Sequence, residues 1–284
     1  MVQSKNKRNK MTGTKKAKLI AIVNQKGGSC KTTTARTLQY HLAMANQKVL
    51  VIDIDPQGSM TSWLGLNPNE LENFPLEASR IYSTNTMPTD AVTTEFGCDL
   101  LPAFPPELRD KNRRADFSIV FMLKKFLATV EDKYDYVIVD TPGTLDNLTQ
   151  SAIIACPTLV VPMQTAPIDQ NGTEGFFRGI SEIIENGNCK VDQIFIVPSM
   201  FNKRAKSDNK ILFDIQHSIV DFLSSLHGFN GTSILVTEPI PLNSSIKEAF
   251  DLGARVSPQE SLKDKYKKSV LETINNVCTD ILGV

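Results

Sequence analysis

The sequence lacks any run of about 18 consecutive apolar residues, the length a helix needs to cross a bilayer. It lacks a CxxC pair, and its five cysteines (Cys30, Cys98, Cys156, Cys189 and Cys278) are scattered and odd in number. That excludes a zinc site of spaced cysteine pairs, argues against a disulfide framework, and fits reduced thiols in a cytosol. Histidine is scarce: His41, His217 and His227 stand in no catalytic arrangement, and His41 reads as structural. The basic N-terminus has no apolar stretch of signal-peptide type behind it, which argues against secretion. Net charge is also absent, at +0.

That zero hides an asymmetry. Residues 1–16 hold Lys5, Lys7, Arg8, Lys10, Lys15 and Lys16 without an acid, so the rest of the chain carries the compensating negative excess. A segment this polar cannot bury a core, so 1–17 is expected to be a basic disordered tail, either solvated or touching nucleic acid. Hydrophobic types make up 41% of 284 residues, enough for one large α/β domain, and no linker-like stretch divides the middle. The domain is therefore placed at 18–284.

Apolar, β-branched runs mark buried strands at Lys18–Asn24, Val49–Ile54, Tyr136–Asp140, Thr158–Pro162, Gln193–Ser199 and Ser233–Val236. Helical spacing marks Thr32–Met44, Phe117–Val130, Leu148–Cys156, Gly175–Glu185, Ile211–Leu226 and Ser245–Leu252, with a last helix at about 261–282 packed on the domain. Residues 66–114 are rich in Pro, Asn, Thr and Glu and read as short helices plus a strand near Asp99–Pro102. Strands alternating with helices predict a doubly wound, mostly parallel sheet flanked by helices in a single domain.

Between the first strand and first helix lies Gln25-Lys26-Gly27-Gly28-Ser29-Cys30-Lys31-Thr32-Thr33. Backbone N–H groups of such a turn cradle phosphate oxygens, and the helix that follows adds the positive end of its dipole. Gly27 and Gly28 permit close approach, Lys31 can reach the β- and γ-phosphates, and the Thr32 hydroxyl can sit on Mg²⁺. The ordinary phosphate-loop pattern GxxxxGK[ST] fails at Gln25 and Cys30. What matches is KGGxxKTT, which resembles the deviant phosphate loop of the ParA/MinD family of partition and positioning ATPases, nearest to partition members of the ParA/Soj type. Members commonly have glycine where Cys30 stands.

Further segments are similar to that family in the expected order. VLVIDIDPQGS at 49–59 resembles its second acidic motif, and YDYVIVDTPGTL at 134–145 its Walker B strand. TLVVPMQTAPIDQNG at 158–172 resembles the VPxQ segment, with Thr165 replacing an acid often found there. PSMFNKR at 198–204 and PIPLNSSIKEA at 239–249 resemble the segments beside the adenine, with Leu242 in place of an arginine. The likeness covers about 18–255.

The resemblance implies a P-loop NTPase-like fold and an ATPase using ATP and Mg²⁺. Two ATP-bound monomers would sandwich their nucleotides, with Lys26 reaching the partner's phosphates and Lys31 acting within its own subunit. Asp55 would orient the attacking water, Asp140 would hold Mg²⁺ through water, and Asp53 would support the loop lysines or the metal shell. Gly27, Gly28, Ser29, Cys30, Lys31, Thr32 and Thr33 would hold the phosphates, and Met200, Phe201 and Pro241 would line the adenine. No arginine finger can be placed from sequence, which implies slow turnover.

Three functions follow from that family. The first is a cytoplasmic, nucleoid-associated partition ATPase binding DNA nonspecifically as an ATP homodimer, stimulated by a centromere-binding (ParB-like) protein. Lys203, Arg204, Lys206, Lys210, Lys247 and Arg255 are the candidate DNA contacts, together with the basic run 263–268. Only about 17 residues precede the first strand, against the DNA-reading domain that larger partition ATPases carry there. The second is a MinD-like positioning ATPase, using the apolar stripe Val270, Leu271, Ile274, Val277 and Ile281 on a membrane; packing onto the domain is the preferred use of that stripe, and no membrane is expected. The third is a metabolic relative, an iron–sulfur reductase or amidating ligase, for which Cys98 and Cys156 lack the usual settings of cluster ligands.

Overall fold

The first strand, β1 (Lys18–Ile22), and the second, β2 (Val49–Asp53), are almost wholly aliphatic, the composition of strands covered on both faces. A computed structural model describes residues 16–83, 87–113, 117–165, 170–241 and 268–284. After β1 come α1 (Lys31–Met44), β2 and α2 (Ser59–Trp63). The middle holds β3 (Val92–Thr93), β4 (Asp99–Leu101), α3 (Pro105–Arg113), α4 (Met122–Val130), β5 (Tyr136–Asp140) and α5 (Asn147–Ala155). The remainder holds β6 (Thr158–Gln164), α6 (Gln170–Asn186), β7 (Gln193–Ser199), α7 (Lys206–Asp214), α8 (Val220–Ser224), β8 (Ser233–Val236) and α9 (Lys268–Leu282).

The eight strands lie in the order β3-β4-β2-β5-β1-β6-β7-β8, parallel throughout except for β3 against β4. This is the predicted doubly wound sheet. Alternate residues of β1 enter different apolar layers, as strand geometry requires. Ala21 joins Phe126, Ala152 and Phe177 of α4, α5 and α6, while Ile20 and Ile22 join Leu38 and Leu42 of α1 and Val277 and Ile281 of α9.

Several predicted bounds shift. The helix expected at 211–226 begins at Lys206 and passes through a π turn, Ile215–Ile219. The helix expected at 117–130 opens with a 3₁₀ turn, Phe117–Phe121. The strand expected at 158–162 runs on to Gln164, through Pro162. Pro162 is tolerated because it lies past Val160, the last β6 residue paired to β1. Its carbonyl instead accepts from the Asn24 side chain, which ties β6 to the start of the phosphate loop. The tail at 1–15, the short helix expected at 245–252, residues 261–267 of the last helix, and Lys247 and Arg255 lie outside the described residues.

Candidate active site

The loop after β1 is held from both sides. Asn24 Oδ1 accepts the Lys26 N–H at 2.8 Å, and the Gln164 amide at the end of β6 donates to the Gly28 carbonyl. Gly28 has a φ of 73°. Cys30 caps α1 in the left-handed region with no side-chain hydrogen bond to the helix, and its carbonyl accepts the Thr34 N–H at 2.8 Å. The first amides of α1 therefore have no side-chain cap, and no acid stands in its first turn, which leaves this helix end open to an anion. The buried Ser29 hydroxyl has no partner among the described residues. Lys31 lies down in the site, so close to the loop after β5 that a Cβ on Gly143 would stand 3.5 Å from its Nζ. Burial lowers the Lys31 pKa, and Asp140 and Asp55 act against that fall.

Strand register assembles the acids. Asp140 is level with Asp53 on one side and Ile22 on the other. Asp140 is fully buried, and neither of its carboxylate oxygens completes a hydrogen bond among the described residues, although the Thr32 hydroxyl faces it. Burial, and then repulsion from Asp53, raise its pKa well above the usual carboxylate range. Asp53 is also fully buried, which pushes its pKa up to about 7. Its oxygens are committed: one accepts the Thr61 N–H at 2.8 Å and hydroxyl at 2.7 Å, and the other the Asp55 N–H at 3.1 Å. Asp53 is expected to support the loop lysines or the metal shell, and its hydrogen bonds run to α2 and to the Asp55 N–H. Asp53 is turned onto α2, where it holds the backbone that presents Asp55. Asp55 accepts the Gln57 N–H at 2.9 Å with one oxygen and has no partner among the described residues on the other.

A cleft of about 1170 Å³ runs across the carboxyl ends of the strands, where open α/β sheets place ligands. Its walls follow the sheet order. Arg109 and Asn112 come from α3, Asp55 and Trp63 follow β2, Gly143 and Thr144 follow β5, and Gly27–Thr34 follow β1. At the far end stand Met200, Ile240, Pro241 and Ile274. Met200 and Pro241 were expected at the adenine. Phe201 was too, and the structure moves it: Met200 takes a left-handed φ of 59°, and Phe201 turns inward, bridged to Pro241 with its N–H on the Ile240 carbonyl at 3.0 Å. It walls a neighbouring hollow with Lys203 and Arg204. Lys203, Arg204, Lys206 and Lys210 are exposed on the turn after β7 and the first turns of α7, and Lys26 is exposed outside the cleft walls. Trp63, Arg109, Asn112 and Ile274 carry no motif. The only signal for the α3 pair was its i, i+3 spacing.

A lysine-bearing anion loop at the head of a helix, beside a buried and unpartnered aspartate on the adjacent strand, defines a nucleoside-triphosphate-binding α/β protein. Residues 17–193 match a family model described as an AAA domain. The chain is 31% identical over 198 residues to the chromosome-partitioning ATPase Soj of Treponema pallidum, covering 69% of this chain and 76% of that one. Among solved structures, cobyrinic acid a,c-diamide synthase from Mycobacterium smegmatis, with bound ADP and magnesium, superposes with a TM-score of 0.67 at 28% identity, covering 83% of this chain and 93% of that one. A plasmid partition protein from Borrelia burgdorferi B31, bound to AMPPNP, shares the fold with a TM-score of 0.68 at 24% identity, covering 93% and 99%. The chain belongs to the ParA/Soj family of partition ATPases.

Proposed function

We propose that this partition ATPase is a nucleotide-driven monomer–dimer switch that binds DNA nonspecifically in its ATP state. Hydrolysis is slow until a centromere-binding partner stimulates it, and the protein works in the cytoplasm on the nucleoid. The observation that carries the reading is the division of labour between two lysines. Lys31 is buried beside Asp55 and Asp140, committed to its own cleft. Lys26, five residues earlier in the same loop, is exposed and makes no ion pair among the described residues. A cation projecting from the rim of a phosphate site suits contact with a second subunit's γ-phosphate, which ADP lacks.

The residues fit Mg²⁺ and ATP. The orphaned Asp140 carboxylate with the Thr32 hydroxyl beside it is an oxygen site of the kind Mg²⁺ takes together with phosphates. Bound there, the ion supplies neutralisation of phosphate charge. The open amides of α1 and Lys31 hold the β- and γ-phosphates. Asp55, fixed through Asp53 and Gln57, has an oxygen free to orient water. Met200, Ile240, Pro241 and Ile274 supply an apolar seat for the base. Lys203, Arg204, Lys206 and Lys210 offer phosphate contacts to DNA, binding that should weaken steeply with salt.

Two other readings lose their support. The stripe on α9 that a membrane-positioning ATPase would need is spent inside the domain at Val277 and Ile281. Cys98 and Cys156 are buried free thiols rather than exposed ligands of the kind a cluster shared between subunits would need.

Lys26→Ala tests the switch. Sedimentation of this variant should give a monomer with ATP while nucleotide binding survives. A dimer formed with ATP as readily as by the unaltered protein would sink the sandwich arrangement.

A further inference from the structure

Arg109 follows β4 on α3 and belongs to none of the segments that resemble the family. We propose that it is a catalytic cation of this ATPase, acting within its own subunit on the γ-phosphate. The inference rests on the nucleotide reading above and adds a third cation to the two lysines, Lys31 and Lys26, that the loop supplies.

The argument starts from the order of the cleft walls. The apolar end lies beyond β7 and β8, at Met200, Ile240, Pro241 and Ile274. The phosphate loop follows β1, near the middle of the sheet. A nucleotide with its base on the apolar end and its phosphates on the loop must send its terminal phosphate on toward β5, β2 and β4. Asp55 stands at that end after β2, and Arg109 lines the wall beyond it.

Charge points the same way. This end of the cleft already holds Asp55 and Asp146, and a triphosphate brings more negative charge. Lys31 is buried beneath it. Arg109 makes no ion pair among the described residues, although Glu107 and Asp110 are its near neighbours in sequence. A guanidinium on the wall of an acidic cleft without a carboxylate partner is available to a ligand, and its planar fork suits phosphate oxygens.

The helix that carries it is anchored. One turn on from Arg109, and on the same face, Asn112 donates to the Asp146 carboxylate and its side-chain oxygen accepts the Leu148 N–H at 3.4 Å. Asp146 in turn caps α5, accepting the Thr149 N–H. Leu108, adjacent to Arg109, is fully buried. The helix is thus held to the loop after β5 through Asn112, and Arg109 itself is exposed on the cleft wall.

In the step, a water oriented by Asp55 forms a bond from its oxygen to the γ-phosphorus. The bond from that phosphorus to the β–γ bridging oxygen breaks, ADP leaves with the electron pair, and the water's proton passes to the phosphate released. Arg109 donates N–H groups to the equatorial oxygens as charge redistributes. An arginine supplied in cis acts this way in other phosphoryl-transfer enzymes.

The test compares Arg109→Ala, Arg109→Gln and Arg109→Lys with the unaltered protein. ATP binding is read from the fluorescence of Trp63, the single tryptophan, which lines the cleft. Turnover and the affinity for ADP with aluminium fluoride complete the set. The expected result is a fall in kcat of about 100-fold in the Ala and Gln variants, ATP affinity within about threefold, a parallel loss of affinity for the aluminium fluoride complex, and partial recovery with lysine. A kcat within about threefold of the unaltered protein overturns the proposal, as does a fall in kcat matched by an equal loss of ground-state ATP binding. If Arg109→Ala misfolds by thermal melting, the near-isosteric Gln variant decides. Absence of ATP turnover in the unaltered protein would strike at the nucleotide reading itself, which separates the two failures.

Discussion

Cys30 opens α1 with a φ of 67° and a ψ of 24°, a conformation that costs a residue with a Cβ about 1–2 kcal/mol. The position is dictated by the loop, which must reverse between Gly28 and the first helical turn, and glycine is the residue that meets that demand freely. The thiol offsets little, since its contact is a long 3.8 Å approach to the Gly28 carbonyl. Cys30→Gly should therefore raise stability by ~1 kcal/mol after the extra chain entropy of glycine is counted. A urea titration checks this, and an unchanged or lowered midpoint would contradict it. At this scale the site divides into a legible and an illegible part. Lys26, Lys31 and Thr32 were legible because one continuous turn fixes their spacing. Arg109 and Trp63 were not, because only the path of a motif-free segment brings them to the cleft. Asp53 and Asp55 are two residues apart on one strand end, and nothing in the letters tells which carboxylate is spent on Thr61.

Helix α9 closes the face that α1 leaves open, and its end is tied down by unusual donors. The Lys18 amine donates to the Ile281 carbonyl at 2.7 Å and the Tyr136 hydroxyl to the Leu282 carbonyl at 3.2 Å, satisfying two of the carbonyls that a helix end leaves unpaired. Ile281 is fully buried, so Ile281→Ala should destabilise the protein by about 2–5 kcal/mol. Because Ile274 on the same helix walls the cleft, the variant should also bind ATP more weakly. Chemical unfolding and a nucleotide titration on one preparation check both effects; a loss confined to stability would detach α9 from the site. Elements buried on both faces, such as β1 and β2, were easy to read because a continuous aliphatic run has few other uses. Helix α3 was hard because it is polar almost throughout and only Pro105, Leu108 and Lys111 are buried, too sparse a pattern to mark a helix. The π turn at Ile215–Ile219 leaves no signal in a periodicity that runs on across it.

Across the whole molecule, the pairing of β2 with β5 sets two buried carboxylates abreast, and stability should follow their protons. Asp53 has a folded pKa of about 7, above its unfolded value, and that of Asp140 is raised as well. Between the unfolded and folded values the native state holds more protons than the unfolded chain, so stability falls as pH rises through about 7. Without nucleotide the protein should melt at a higher temperature near pH 6 than near pH 8, and Mg²⁺ with ATP should narrow the gap by favouring ionised Asp140. Melting curves at the two pH values check this; a nucleotide-free protein more stable at the higher pH would contradict it.

The same sheet order has a consequence in time. β1 comes first from the ribosome, yet both strands that flank it, β5 and β6, come only after β2, β3 and β4: Lys18 waits for Tyr136, and Ile20 for Thr158. Such distant pairings are slow to form and leave apolar strands uncovered meanwhile. The phosphate loop hangs from the end of β1, and its anchors Pro162 and Gln164 lie on β6. A nascent chain therefore carries every letter of the loop long before it has the loop's shape. ATP can reward only a chain whose synthesis has passed Gln164, so nucleotide binding cannot aid the earliest steps of folding.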